Sequence, residues 1–169
     1  LSLCVSTVTG LFENVISHLA IIVSFQSLIL GMSGNVGTQS LAVTIRVLMD
    51  EDLSGRQKWG LIFKEARIGF CNGLMLGLLA FAFIGTYVYV LKGRPLQYAF
   101  SVSACAGVAL MLAMTISSVV GTVVPMFFHK VKVDPAVASG PLISTVNDFV
   151  AVVTYYGLAW VLLIHVLHL

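Results

Sequence analysis

Charge is what this sequence has least of. Asp, Glu, Lys and Arg make up 9% of its 169 residues, against roughly a quarter in a soluble domain. Residues 14–45, 68–91, 95–129 and 149–169 carry none. Each of these runs is about as long as the roughly 20 residues a helix needs to cross ~30 Å of hydrocarbon, which excludes a soluble globular fold. Cysteine is also sparse. Cys4, Cys71 and Cys105 sit in apolar runs with no C-x-x-C spacing, so neither a disulfide framework nor a zinc site is indicated. No Lys/Arg cluster with interleaved aromatics speaks for nucleic acid. The sequence also has no H-E-x-x-H, no G-x-S-x-G, no paired intramembrane acids and no Cys/His nucleophile arrangement, which argues against an enzyme.

What is present is oil: 59% of the residues are apolar. The pattern predicts an all-α membrane protein forming a single domain over 1–169, with helices at about 1–13, 19–47, 66–91, 97–128 and 139–168. The apolar piece before Glu13 is too short to span alone. Because the chain begins with Leu, that piece is expected to be the end of a truncated first span; it lacks the basic region and cleavage site of a signal peptide. Five transmembrane helices follow. Seven of the nine basic residues fall in the loops after the second and fourth spans, while Lys92 and Arg94 flank the turn on the other side. The positive-inside rule then puts the N-terminus in the cytoplasm and the C-terminus outside. Between the second and third spans, Asp50, Glu51 and Asp52 precede Trp59, Ile62 and Phe63 among basic residues, as in an amphipathic cytoplasmic linker over about 50–66.

Polar residues inside the spans mark where chemistry could occur. In "LILGMSGNVGTQSLAVTIRVL", Gly31, Gly34 and Gly37 alternate with Asn35, Thr38 and Gln39, a face that lipid would not solvate. It must look into the bundle or a wet cavity, as interhelical glue or as the wall of a path. The small and hydroxyl residues of the fourth span, such as Gly107, Ser118 and Gly121, read as tight packing. In the fifth span, Gly140, Ser144 and Asp148 recur every four residues on one stripe. With the helix entering near Ser139, Asp148 lies about 13 Å deep, close to mid-membrane. A charge there costs about 2.5–3.5 kcal/mol on insertion scales. No intramembrane Lys or Arg offers a counter-ion, so Asp148 is a neutral hydrogen-bonded acid, a proton relay or a binding group for a cation in transit. Oxygen-only surroundings favour a hard cation such as Mg²⁺ or Ca²⁺. His165 and His168, spaced i,i+3 at the end of the last run, read as interfacial rather than metal-binding.

The runs "GNVGTQS" and "DPAVASGPLISTVND", in this order and within a five-helix pattern, resemble the membrane domain of MgtE-type magnesium channels and transporters. The resemblance covers nearly the whole chain. It implies a homodimer with one central pore in the bilayer, in which hydrated Mg²⁺, the transported ion, is held by Asp148. It places Ser144 and Gly140 along the same path and Asp134 at the cytoplasmic mouth, and it carries Asn35 and Gln39 over, with Thr38 beside them, as pore-side or structural residues. Two positions depart from the family pattern: Gly140 stands where many members have Asn, and Ala151 where many have Gly. The family's cytoplasmic sensor domains have no counterpart here, so they are expected either to have been removed with the start of the first helix or never to have existed. A proton- or Na⁺-coupled transporter using Asp148, and a non-transporting structural subunit, are the readings the residues leave beside this one.

Overall fold

The computed structural model describes residues 2–13, 16, 20–50 and 53–166, and among these it is all-helical. A short α1 (Ser2–Leu11) is followed by a 3₁₀ turn (Ala20–Ile22) that leads into α2 (Val23–Asp50). The long helices α3 (Gly55–Val90), α4 (Leu96–Lys130) and α5 (Pro135–Leu158) follow, and α5 continues as a π-helical turn over Ala159–Val166. Among the described residues, four stretches are long and apolar enough to cross a membrane: Ala20–Met49, Gly55–Val90, Leu96–Lys130 and Gly140–Ile164. Leu74, Leu78 and Phe83 of α3 stand exposed, as expected where the surrounding solvent is lipid rather than water. This is an integral membrane protein. The C-terminal end of the fifth expected helix, with His168, lies outside the described residues.

Helix α4 is the axis of the bundle: α3, α2 and α5 all pack against it, while α2 and α3 scarcely touch. Its buried face is made of small residues, among them Ala99, Ala106, Gly107, Ala109, Ala113 and Gly121, which let neighbouring backbones approach closely. Opposite them, Gly69, Gly73 and Gly77 of α3 recur every four residues. A Cβ on Gly77 would stand 2.7 Å from the Gly107 carbonyl oxygen, and one on Gly73 would stand 2.8 Å from Met111 Cα. The two backbones are therefore in direct contact along this seam. Most hydroxyls turn back onto their own helices: Thr44 donates to the Ser40 carbonyl at 2.8 Å, Thr115 to Met111 at 2.7 Å and Thr122 to Ser118 at 2.9 Å. Each is thereby satisfied where no water is available.

Two expectations change. The amphipathic linker and the third span are one helix of 36 residues, with no break near residue 66. Its start is set by a capping box in which the Ser54 hydroxyl accepts from the Gln57 N–H and the Gln57 side chain accepts from the Ser54 N–H. That reciprocal pair satisfies orphan donors of the first turn and nucleates the helix well before the apolar run. The last helix, expected from about residue 139, starts at Pro135, so Pro141 lies inside α5, six residues beyond its start. Its missing N–H leaves the Val137 carbonyl without the usual partner.

The other ends are tied down by the last helix. The buried Tyr155 hydroxyl donates to the Ile22 carbonyl at 2.8 Å, and the Tyr156 hydroxyl donates to Gln26 Oε1 at 2.7 Å. The Tyr156 ring stacks on Phe12 at 5.7 Å. These contacts fasten the start of α2 and the segment after α1 to α5. At the opposite turn Gly93 takes a left-handed φ of 60°, a conformation glycine adopts without steric cost, and this allows the tight connection between α3 and α4.

Candidate functional site

Helices α2 and α5 diverge enough to leave a cleft of about 320 Å³ between them, lined by Leu30, Gly31, Gly34, Asn35, Thr38, Ser144 and Asp148. Helical spacing explains the membership. Gly31, Gly34, Asn35 and Thr38 fall three or four residues apart on one face of α2, and Ser144 and Asp148 fall four apart on α5. A Cβ on Gly31 or Gly34 would meet nothing within 4 Å, so these glycines leave room in the cleft, whereas the α3 glycines close a contact. Asp148 is half-buried, and Asn35, Thr38 and Ser144 are exposed. The cleft therefore opens on the outer surface of the chain.

Two of the cleft hydroxyls are held by backbone. Thr38 Oγ1 lies 3.0 Å from the Gly34 carbonyl and 2.9 Å from that of Asn35, and Ser144 Oγ donates to the Gly140 carbonyl at 3.3 Å. A hydroxyl that donates to a carbonyl keeps its acceptor lone pairs, so both can still accept a hydrogen bond. The site thus offers one carboxylate, one amide and two hydroxyl oxygens, all of them hard donors. Among the described residues no three His, Cys, Asp or Glu side chains converge. A metal at Asp148 would therefore keep much of its water shell.

Not every expected residue joins the cleft. Asp148, Ser144, Asn35 and Thr38 come together, but Gly140, Gln39 and Asp134 are absent from its lining. Gly140 lies one turn before Ser144, where a Cβ would meet nothing within 4 Å. Gln39 is exposed on α2 next to Thr38. Asp134 is exposed and immediately precedes the first residue of α5, about 20 Å along the axis from Asp148. That position also suits an acid capping a helix N-terminus.

A second acid, which falls within the expected linker, is deeply buried. Glu65 of α3 is 3% exposed and accepts a hydrogen bond from the Ser40 hydroxyl of α2 at 2.9 Å. Its backbone carbonyl accepts from the Ser118 hydroxyl of α4 at 2.6 Å, and the two serine oxygens are 2.9 Å apart. This polar knot ties three helices together on the side of α2 away from the cleft. The signal for it is in the spacing: Glu65, Gly69, Gly73 and Gly77 form one four-residue series, so Glu65 extends the buried stripe by one turn.

Residues 26–158 match the family model described as MgtE, divalent cation transporter. The chain belongs to the MgtE family. It is 35% identical over 153 residues to the magnesium transporter MgtE of Bacillus subtilis (strain 168), covering 90% of this chain and 32% of that protein. Against the magnesium transporter MgtE of Enterococcus faecalis (strain ATCC 700802 / V583) the identity is 36% over 148 residues, with 88% and 31% coverage. Against the magnesium transporter MgtE of Thermus thermophilus it is 32% over 153 residues, with 90% and 32% coverage. The chain spans about a third of the length of these curated relatives. MgtE proteins are transporters rather than enzymes, and the matched region takes in both walls of the cleft.

Proposed function

We propose that this chain forms one half of a membrane pore for Mg²⁺, with the hydrated ion held at Asp148. The carrying observation is that Asp148 and Ser144 of α5 face Asn35 and Thr38 of α2 across one cleft, in a chain whose family transports divalent cations. Mg²⁺ sheds water reluctantly and wants octahedral oxygen ligands. A carboxylate with nearby hydroxyl and amide oxygens can bind its water shell without stripping it. A divalent ion also gains twice the Coulomb attraction of a monovalent one at equal distance, which favours Mg²⁺ over Na⁺ or K⁺. Binding must stay loose enough for release, and a single carboxylate per chain suits that.

The open side of the cleft supports a homodimer. A carboxylate facing lipid costs about 2.5–3.5 kcal/mol on insertion scales, and a second copy related by a two-fold axis covers the same face on both chains. Two Asp148 side chains near that axis repel each other when the pore is empty, and a divalent cation relieves the repulsion. In this reading Gly140 widens the path one turn from Ser144, and Asp134 and Gln39 belong to its approaches. The basic loops and the N-terminus face the cytoplasm, where further regulatory domains would attach, and the membrane is the plasma membrane.

Liposomes containing the purified protein test the reading. Asp148→Ala is expected to abolish Mg²⁺ uptake and to remove the rise in melting temperature that Mg²⁺ confers by binding the folded state. Wild-type uptake by the Asp148→Ala protein would sink the assignment. Uptake that stops when a pH or Na⁺ gradient is removed would replace the pore with a coupled transporter.

A further inference from the structure

Asn147 directly precedes Asp148 but faces the other way. Ile143, Asn147, Ala151 and Tyr155 recur every four residues and are each fully buried, so they form the face of α5 that meets the bundle while Ser144 and Asp148 line the cleft. On that buried face the Asn147 side chain fills the space that a side chain on Gly37 would occupy. A Cβ on Gly37 would stand 2.8 Å from Asn147 Cγ and 3.0 Å from Oδ1, with Nδ2 nearer still. From α4, Gly121 presses on the same turn of α2: a Cβ there would come within 3.1 Å of the Gly37 carbonyl carbon and 3.2 Å of the Leu41 nitrogen. Gly37 is thus pinched between two helices, and it adjoins Thr38, which faces the cleft.

The choice of Asn at this wedge is not explained by burial. Both Asn147 Oδ1 and Nδ2 are buried without a hydrogen-bond partner, an arrangement that an apolar side chain would avoid and that calls for a specific reason. Shape supplies one. The planar amide is thinner than the tetrahedral branch of Leu, and it enters a notch that a single methyl on Gly37 would block. Because side chains sit at fixed angles around a helix, the depth to which Asn147 seats in the notch sets the rotation of α5 about its axis. That rotation sets how far Asp148 reaches across to Asn35 and Thr38.

We propose that Asn147 is a positioning residue for ion binding, whose amide, seated in the Gly37 notch, holds Asp148 at its working distance from α2. The inference rests on the pore reading of Asp148. The test is Mg²⁺ uptake by purified, folded protein in liposomes, read as half-saturating concentration and maximal flux separately, for Asn147→Ala, Asn147→Ser, Gly37→Ala and the double variant Gly37→Ala/Asn147→Ala. Each alanine single variant is expected to raise the half-saturating Mg²⁺ concentration by roughly tenfold or more, with Asn147→Ser in between. The double variant is expected to recover most of the loss, since the new methyl occupies the space the amide left; contacting residues show such non-additivity. A merely structural role would lower maximal flux and leave half-saturation unmoved. The proposal is overturned if the folded Asn147 variants keep the wild-type half-saturation, or if the Gly37→Ala defect persists undiminished in the double variant. Asp148→Ala run in parallel separates the two ideas. Normal uptake there defeats the pore reading itself, whereas lost uptake there with wild-type behaviour in Asn147→Ala defeats only the wedge.

Discussion

The seam between α3 and α4 and the cleft between α2 and α5 are built from the same residue type to opposite ends. At Gly73, Gly77 and Gly107 an added Cβ would meet backbone atoms 2.7–2.9 Å away, whereas at Gly31, Gly34 and Gly140 it would meet nothing within 4 Å. In the seam, absent side chains let two helices close into direct contact, where dispersion and excluded lipid hold them. In the cleft, absent side chains keep two helices from closing. Glycine content alone therefore says little about a membrane helix. What matters is which neighbour faces it.

The comparison can be broken at its closed end with the largest effect. Gly77→Leu forces a branched side chain into the Gly107 backbone, and overpacking of this kind costs about 1–3 kcal/mol or more. The expected result is loss of the cooperative melting transition in detergent, measured by thermal unfolding. Retention of the wild-type melting temperature would show that the seam is not the stabilising contact. At the open end, Gly34→Leu should do the reverse. Its melting temperature should stay within a few degrees of wild type, because a Cβ there meets nothing within 4 Å and substitutions that disturb no packed neighbour usually change stability by about 0.5 kcal/mol or less, while Mg²⁺ uptake falls because the side chain enters the cleft. Equal loss of fold and flux would erase the distinction between the two regions. The smallest effect is expected at the knot beside the seam. Glu65→Gln keeps an acceptor for the Ser40 hydroxyl and should cost less than about 1 kcal/mol, whereas Glu65→Ala removes that acceptor, leaves Ser118 Oγ in its place and should cost about 1 kcal/mol, both read as shifts in melting temperature with uptake per folded protein little changed.

The same contrast explains what can be read from the sequence. Among the described residues, the four helices long and apolar enough to span are legible from runs without charge, because lipid tolerates no unpaired backbone and little charge at depth. The cleft is legible in outline: Gly140, Ser144 and Asp148 share a stripe by spacing, and Asp148, Ser144, Asn35 and Thr38 do meet. Glu65 is hidden because charge amid Lys64 and Arg67 suggests a solvated linker, and only its four-residue register with Gly69, Gly73 and Gly77 reveals the buried side. Asn147 is hidden by its neighbour. A conspicuous acid at 148 draws the eye to one stripe of α5, while the stripe one residue back is the one that touches the bundle. The start of α3 escapes for a local reason, since a capping box can begin a helix well before the apolar run that identifies a span.

The unbroken length of α3 has a mechanical consequence. At 36 residues it is about 54 Å long, and a bilayer core takes up only about 20 residues of that. The remainder, with Trp59 and Phe63 exposed on it, projects past the hydrocarbon as a stiff lever. No break interrupts the helix between Gly55 and Glu65. A displacement near Gly55 would therefore reach Glu65, whose carboxylate accepts from Ser40 of the helix that bears Asn35 and Thr38.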